Sequence, residues 1–470
     1  TRTQSSQPVM SSTRTTHHAT VGVVSCRDGA CPGCTLLSVA RTTYLLDQEG
    51  RVLHTWASRR DIFVAYLRPS GNLLRDGNDL ELAPQFTAGG ASGYLEEVTW
   101  HNEPLWSWSA LPRFAYLSHH DVCPLPNGNV LVLVWERKDK DQALAAGRHP
   151  ELIPDGEVWN NLIVEVQPDL SSGRASEVRR WSQWDHLVQD HDPRKDNYVP
   201  DVTACPTELD INYAPPGGKA ACRNGGVEPG QHPSGLAVFS GMPGKTGERD
   251  WLHANSVDWT LGPDGRGYVL VSYNVPSEVV VVPWPVEAEA QPQPGILFRF
   301  GNPLVARSGD RHARRLFCQH SAKWVSGARA GALRLVLFNN GCAPDRMWST
   351  ADEFELDLSS GAVQHVWSFG PPCGHLGSFY AHHSSGVRRC PGGSGNTLIT
   401  LGPQGIVFEV TPEGEEVWRF INPVEQRKGA PPAVVRQGAQ RGVGKFGLFF
   451  AERYAPEHCA QFQGLAPGPR

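Results

Sequence analysis

The sequence predicts an all-β fold, a six-bladed β-propeller with a long cap insertion. Its 470 residues include 49 Gly, 38 Pro and 15 Trp but only 3 Met, a composition that disfavours helical bundles because Gly and Pro interrupt helices. Two strand–turn–strand half-motifs alternate along the chain, and together they make units of four short strands. Radial repetition of such units leaves only short sheet edges to protect. A pair of unrelated β-sandwiches is the alternative architecture.

The first half-motif is a strand, a Gly-containing turn and a second strand that ends in an aromatic residue. We count six copies: 44–56, 94–108, 163–181, 295–303, 353–369 and 406–420. The second half-motif has a Pro, Asn or Gly turn before an apolar strand, and its five clear copies begin near Val64, His119, His253, His320 and His382. We expect the segment from Phe446 to Tyr454 to supply the closing strand of the sixth blade.

The repeat also predicts the domain boundaries. Residues 38–455 are expected to form the propeller, residues 1–37 an N-terminal arm that is partly disordered or packed as an edge, and residues 456–470 a C-terminal tail. The stretch 182–250 breaks the repeat and is far longer than an ordinary connection. Its aromatic and Leu residues indicate that part of it packs down, so we interpret it as a cap over one mouth of the propeller.

Charge, hydropathy and cysteine content limit which cellular compartments and which classes of binding partner fit the sequence. A formal net charge of −5 disfavours nucleic-acid binding, and no apolar run is long enough to predict a membrane span. The polar, Ser/Thr-rich first residues are typical of a processed N-terminus, and 11 Cys with several close spacings suit an oxidising compartment. We therefore predict a secreted or periplasmic protein with local disulfides Cys205–Cys222, Cys318–Cys342 and Cys373–Cys390. Nothing in the sequence indicates an oligomeric state.

Histidine recurs at the start of the second half-motif, which is the clearest chemical signal in the chain. Four copies carry it: His119 and His120, His253, His320, and His382 and His383. In a propeller the equivalent ends of the first strands surround one mouth of the central channel, so we expect these residues to converge there. Asn255 should share the strand face of His253. A ring of imidazoles near neutral pH indicates a base, an acid, a nucleophile or a set of metal ligands.

At these residues the sequence resembles the bacterial arylsulfotransferase family over about 42–454. The best matches are DWLHANSVDW from Asp250, QHSAKW from Gln319, WDHLVQDHD from Trp184, HHDVCPLPNGN from His119 and GNTLITLGPQGIVFEVTPEGEEVWRFINP from Gly395. The resemblance implies a six-bladed periplasmic propeller that moves a sulfuryl group between phenols without a nucleotide cofactor. It further implies that His320 is the transiently sulfated residue, that His253 and Asn255 help to bind the sulfuryl oxygens, and that one of His119 and His120 is another site residue.

One departure from the family keeps other functions open. Family members place an Arg on the strand after the His-x-Asn motif, and here Tyr273 falls at that position, while His382 or His383 adds an imidazole. The leading prediction is sulfotransfer to and from small aromatic substrates, with catalytic candidates His320, His253, Asn255, His119, His120, His383 and Tyr273. The alternative is a metal-dependent enzyme that binds zinc, copper or iron through His120, His253, His320 and His383. A non-catalytic binding propeller is the third possibility.

Overall fold

The computed structural model describes residues 19–79, 86, 88–112, 114–153, 156–214, 249–285, 295–342, 345–427, 432–442 and 444–465. Within these ranges the chain is almost entirely strand and turn. One short helix, α1, spans Lys140–Ala145 and begins with a capping box between Asp139 and Gln142. None of the described helices is long and apolar enough to cross a bilayer.

The strands follow one another with short connections. In the first half of the chain they are β1 (Gly22–Cys26), β2 (Cys34–Val39), β3 (Thr42–Leu46), β4 (Val52–Ala57), β5 (Ala65–Leu67), β6 (Leu73–Asn78), β7 (Gly93–Val98), β8 (Pro104–Trp108), β9 (Tyr116–Pro124), β10 (Val130–Asp139), β11 (Glu157–Asp169), β12 (Arg174–Ser182), β13 (Leu187–Val188) and β14 (Leu209–Asp210). In the second half they are β15 (Ala254–Leu261), β16 (Gly267–Tyr273), β17 (Glu278–Trp284), β18 (Phe298–Phe300), β19 (His320–Val325), β20 (Leu333–Asn339), β21 (Thr350–Asp357), β22 (Ala362–Phe369), β23 (Gly386–Arg389), β24 (Thr397–Leu401), β25 (Ile406–Val410), β26 (Glu416–Ile421), β27 (Val424–Glu425), β28 (Ala433–Val434) and β29 (Ala451–Tyr454).

These strands build an all-β fold with a propeller-like arrangement of sheets. Three sheets have four strands each, in the orders β29-β2-β3-β4, β15-β16-β17-β18 and β19-β20-β21-β22, and a fourth adds β1 to β23-β24-β25-β26. Each sheet is an antiparallel meander, as the alternating half-motifs predict. The tight turns between the first two strands need a positive φ, as at Gly128 (+92°), which an L side chain rarely adopts.

The sequence predicts six separate four-stranded blades, and the sheets differ from this prediction at one place. Strands β5 to β12 form a single eight-stranded sheet in the order β5-β6-β7-β8-β12-β11-β10-β9. The two antiparallel meanders within it are joined by one parallel pair, Arg174 opposite Ser107, where the Ser107 N–H donates to the carbonyl of Gly173 (3.1 Å). One pair of residues on their outer strands therefore joins two neighbouring meanders into a single sheet.

The first strands of successive meanders contact one another around a common centre. Contacts run from β9 to β15, β19, β23 and β29 in turn. The circle is completed at β5, where Tyr66 donates to Asp121 of β9 (2.7 Å) and the Leu67 N–H donates to the hydroxyl of Tyr454 of β29 (2.9 Å). The apolar core is divided accordingly, because six clusters of buried Val, Leu, Ile, Phe and Trp side chains lie between consecutive meanders.

Both chain ends enter the sheets, with a pairing that differs from the sequence prediction at the C-terminal end. Strand β29 pairs with β2, so the segment 446–454 completes the first meander and not the sixth. Strand β1 pairs with β26 and lies as an edge on the sixth meander. The predicted arm 1–37 therefore contains one edge strand, and β2 begins inside it. The described part of the predicted tail, up to residue 465, holds a short 3₁₀ turn at Ala460–Phe462.

The long insertion packs down over its described part, 182–214. Its side chains Leu187, Leu209 and Ile211 are buried in the cluster between the third and fourth meanders. Arg307 ties the segment to the loop after β18 through Asp190 (2.6 Å) and Asp210 (2.7 Å). Residues 215–248 lie outside the described residues, so capping of a channel mouth stays a prediction.

Candidate functional site

His320 begins β19 and is held by a polar network that fixes its tautomer. Its Nδ1 lies 2.8 Å from Oδ1 of Asn340. The Asn340 amide is itself oriented, because its Nδ2 donates to the carbonyls of Ala381 (2.6 Å) and Ser384 (3.1 Å). Oδ1 can only accept, so Nδ1 of His320 carries the proton and Nε2 carries the lone pair. Burial lowers the pKa of His320 to about 4, which keeps the ring neutral at pH 7.

His253 is paired with a buried carboxylate. Its Nδ1 lies 2.5 Å from Oδ2 of Asp250, and its backbone N–H donates to Oδ1 of the same residue (3.2 Å). The Asp250 side chain is fully buried. The carboxylate therefore accepts the hydrogen bond from Nδ1 and orients the ring.

The two residues of the first histidine pair have different surroundings. His120 meets His253 edge to face, with ring centroids 4.4 Å apart, whereas His119 stacks on Trp135 at 4.1 Å. Their Nδ1 atoms are 2.9 Å apart. Burial lowers the pKa of His120 well below its usual value, and the charges of His253, His119 and His320 lower it further. His120 thus faces the other imidazoles, and His119 supports it from behind.

The pair from the sixth meander also lies near His320. Burial, and then the charge of His320, lowers the pKa of His383 to about 4. The charge of His382 is in turn among the causes that lower the pKa of His320. The His382 and His383 ring centroids are 4.3 Å apart. The structure therefore brings together imidazoles from four first strands or the residues just before them.

Asn255 and Tyr273 lie on different sides of their hairpin. Asn255 is buried and its Nδ2 donates to the carbonyl of Gln319 (2.7 Å), which joins it to the residue before His320, and its Oδ1 has no hydrogen-bond partner among the described residues. Tyr273 pairs with Ala254 and packs with it in the apolar cluster between the third and fourth meanders. Burial raises the pKa of Tyr273, the charge of Arg299 lowers it in part, and the charge of Glu278 raises it further. The described contacts of Tyr273 thus place it behind the histidines, in the core.

A small pocket opens beside His320. Its walls include Asn255, His320, Ser321, Arg388, Phe449 and Phe450. Arg388 comes from β23 and is 6% exposed, and its Nη1 donates to the hydroxyl of Ser321. The pocket therefore combines a neutral imidazole, a buried amide, a guanidinium and two aromatic rings. That combination suits an anionic group attached to an aromatic ring.

The backbone around the pocket is irregular in a way that turns these side chains inward. The pairing of the first strands shifts register after Ala254 and after His320, which are β-bulges. His120, His253 and Ser321 have φ of +56°, +52° and +59°, values that L residues rarely adopt. Strained backbone of this kind persists only where the surrounding structure holds it, and it is concentrated at functional sites.

Metal-ligand geometry occurs elsewhere in the described part of the chain. There, one group of three ligand atoms lies within 4.8 Å of one another, and it consists of Cys31, Cys390 and Glu409. His120, His253, His320 and His383 do not form such a group. Glu409 is already engaged, because it accepts from the backbone N–H of Cys31 (2.7 Å) and from Asn396 (2.6 Å).

The cysteines differ from the predicted disulfide pattern. The described free thiols include Cys26, Cys31, Cys34, Cys123, Cys205, Cys373, Cys390 and Cys459. Cys318 and Cys342 are neighbours, and a hydrogen bond from Cys318 lowers the pKa of Cys342 to about 7. Cys390 is buried and hydrogen-bonded to Cys31, whereas Cys373 is exposed, so the pairing Cys373–Cys390 is wrong for this structure. Cys222, the predicted partner of Cys205, lies outside the described residues.

Several residues of the site were not singled out by the sequence reasoning. Asp250 precedes the His-x-Asn motif by three residues, a spacing that could have suggested a carboxylate partner for His253. Asn340 follows an apolar strand in a different half-motif, and Arg388 sits among apolar and polar residues with no distinguishing pattern. Phe449 and Phe450 reach the pocket only because β29 joins the first meander. The contacts of Arg388, Phe449 and Phe450 depend on the closed arrangement of strands, which sequence spacing does not specify.

Comparison with known proteins gives one consistent family. The family profile described as Arylsulfotransferase (ASST) matches residues 106–282, a range that holds His120, Asp250, His253 and Asn255 but not His320. The chain is 24% identical over 417 residues to the arylsulfate sulfotransferase AssT of Escherichia coli O6:H1, covering 81% of this chain and 61% of that protein. It is 23% identical over 395 residues to AssT of Lelliottia amnigena, covering 77% of this chain and 57% of that protein. The chain thus spans about three fifths of the length of these curated relatives.

Solved structures match weakly. A protein of unknown function from Bacteroides caccae aligns with a TM-score of 0.41 at 12% identity, covering 83% of this chain and 94% of that one. A streptogramin B lyase aligns with a TM-score of 0.36 at 8% identity, covering 86% and 82%. Neither match bears on function, and the assignment depends on the sequence comparisons. The profile match over 106–282 and the two relatives agree, and this chain is similar to the arylsulfotransferase family.

Proposed function

We propose that this protein transfers a sulfuryl group from an aryl sulfate to a phenol through His320. The observation that carries the proposal is the hydrogen bond from His320 Nδ1 to an Asn340 amide whose orientation is fixed by two carbonyls. It leaves Nε2 as the nucleophilic nitrogen, and burial keeps that nitrogen unprotonated. A neutral imidazole so held is suited to attack sulfur.

The first half-reaction forms a sulfated enzyme. Nε2 of His320 forms a bond to sulfur while the bond from sulfur to the aryl oxygen breaks, and the phenolate leaves with that electron pair. The proton on Nδ1 stays in place, and its bond to Asn340 stabilises the positive charge that the ring acquires. Protonated His253, supported by Asp250, gives its Nε2 proton to the leaving phenolate.

The second half-reaction reverses these roles with a different phenol. Nε2 of His253 accepts the proton of the incoming phenol, whose oxygen attacks sulfur. The bond from sulfur to His320 breaks and the lone pair returns to Nε2, so both histidines recover their starting states. The reaction balances without a cofactor, and it splits one difficult transfer into two easier steps.

The walls of the pocket support an aromatic substrate. Phe449 and Phe450 line the pocket, and Phe63 packs on Phe449 with centroids 6.1 Å apart. Stacking on such rings binds aryl groups without regard to their substituents. We also propose that the six meanders are the six blades of one propeller, because their first strands and their apolar clusters follow one another in a closed circle.

The test is sulfuryl transfer from 4-nitrophenyl sulfate to phenol. The rate is measured from the release of 4-nitrophenol. We expect His320→Ala to abolish release and to prevent formation of an SO₃ adduct that intact-protein mass spectrometry detects in the wild type without acceptor. His312→Ala, at an exposed position on a 3₁₀ turn, is the matched control and should keep full activity. Equal activity of the His320→Ala variant, or an adduct mapped to another residue, would contradict the proposal.

A further inference from the structure

Each of the six first strands places one polar side chain at the centre of the fold. We call this set the axial polar ring: Tyr66, Asp121, Asp258, Lys323, Arg388 and Glu452. Tyr66 donates to Asp121 (2.7 Å), Lys323 donates to Asp121 (2.8 Å), and Arg388 Nε donates to Glu452 (2.7 Å). Asp121 and Arg388 also line the pocket that holds His320. Two members of the ring therefore contribute polar groups to the wall of the pocket.

The ring holds two cations, and they differ in their free donors. Lys323 Nζ has three protons and three acceptors: Asp121 (2.8 Å), the carbonyl of Val257 (2.8 Å) and the hydroxyl of Tyr66 (3.2 Å). Its donors are all committed to the protein.

Arg388 is different because part of its guanidinium remains available. Nε binds Glu452, and Nη1 binds the hydroxyl of Ser321 and the carbonyl of Val387 (2.9 Å). No described residue makes a hydrogen bond with Nη2. The Cζ atom of Arg388 lies over the ring of Phe450, 4.4 Å from its centroid, and this contact helps to hold the guanidinium at the pocket wall.

Arg388 is also tied directly to the proposed nucleophile. Ser321, whose hydroxyl accepts a hydrogen bond from Arg388 Nη1, is the residue after His320. Substitution of Gly386 would bring a Cβ within 2.8 Å of Phe450 and 3.3 Å of Ser321, so the backbone of β23 lies closely against β19 and β29 here. An anionic group in contact with His320 would therefore lie within the same small pocket as the open edge of Arg388.

We propose that Arg388 binds the sulfate oxygens of the aryl sulfate and so supplies, from β23, the cation that Tyr273 does not provide on β16. This inference rests on the proposed function for the identity of the anion. A guanidinium suits the task because its fixed fork of donors matches the spacing of sulfate oxygens. Glu452 is the carboxylate that pairs with Arg388, and its charge would compete with the anion for the guanidinium.

Because Glu452 and the anion compete for Arg388, substitution of Glu452 distinguishes a substrate-binding role of Arg388 from a purely structural one. We expect Glu452→Gln to keep the shape of the pair, free Arg388 from its counterion and lower the KM for 4-nitrophenyl sulfate about threefold to tenfold. If Arg388 only stabilises the fold through this pair, Glu452→Gln would leave the KM unchanged or raise it.

Removal of the cation should act in the opposite direction. We expect Arg388→Met to raise the KM for 4-nitrophenyl sulfate on the order of 100-fold and Arg388→Lys to recover only part of it, because an ammonium lacks the fork. Arg389→Met is the matched control. Arg389 is the next residue on β23, is paired with Glu353 of a neighbouring sheet and should leave the KM unchanged. Circular dichroism and thermal unfolding check that each variant folds.

A binding measurement separates this inference from the proposed function. Calorimetric titration of 4-nitrophenyl sulfate into the His320→Ala variant should show binding that is lost on adding Arg388→Met. Binding that depends on Arg388 in a wild-type protein without transferase activity would refute the proposed function and keep the inference. Binding or turnover that is indifferent to Arg388→Met, or no binding of the aryl sulfate at all, would overturn the inference.

Discussion

Replacement of His320 by Gln should make the protein more resistant to acid. Burial lowers the pKa of His320 from 6.5 to about 4, so the unfolded chain binds more protons than the native protein between these values. Stability is therefore lost as the pH falls from about 6.5 toward 4. For these two pKa values, the unfolding free energy falls by about 2 kcal/mol between pH 7 and pH 5. The variant has no imidazole at this position, so it should not lose this part of its stability.

The assay is equilibrium unfolding in urea at pH 7 and pH 5 for the wild type and the variant. The fall in unfolding free energy between the two pH values should be about 2 kcal/mol smaller in His320→Gln. His383 adds to the effect in the same direction, because its pKa is lowered in part by His320. His312→Gln, at the exposed position, should behave as the wild type. Equal pH dependence in all three proteins would refute the assignment of His320 as a buried neutral imidazole.

Other substitutions probe the parts of the site separately. Asn340→Leu should lower kcat for aryl sulfate about tenfold with a smaller change in KM, because the tautomer of the nucleophile is no longer fixed, and steady-state kinetics measure both constants. Asp250→Asn should lower kcat on the order of 100-fold, since the amide no longer stabilises a protonated imidazole, and the effect should be largest with phenols of high pKa. Phe449→Ala should raise the KM for aryl sulfates, with partial recovery in Phe449→Leu, as initial-rate measurements would show. Under mild oxidation, peptide mapping without reductant should find Cys390 cross-linked to Cys31.

The repeated half-motifs were sufficient to predict an all-β fold of four-stranded meanders, because strand alternation and turn residues are local properties. They were not sufficient to predict that Arg174 and Ser107 join two meanders or that β29 pairs with β2. Such pairings depend on which free edges meet after the sheets have packed. Sequence spacing likewise indicated where the histidines lie along their strands. It could not show that His120 and not His119 faces His253, because a bulge and a positive φ decide which neighbour points inward.

Because β29 pairs with β2, the site is completed only after β29 has been synthesised. The strand that follows Phe449 and Phe450 comes near the end of the described chain, yet it completes a sheet whose other strands come near its beginning. Until that strand arrives, β2 presents an unpaired edge, the pocket lacks its aromatic wall, and Arg388 lacks Glu452. A nascent chain that has emerged only as far as β26 would already hold His320, Asn340 and the Asp250–His253 pair. Binding competence would therefore appear in one step, when β29 pairs with β2.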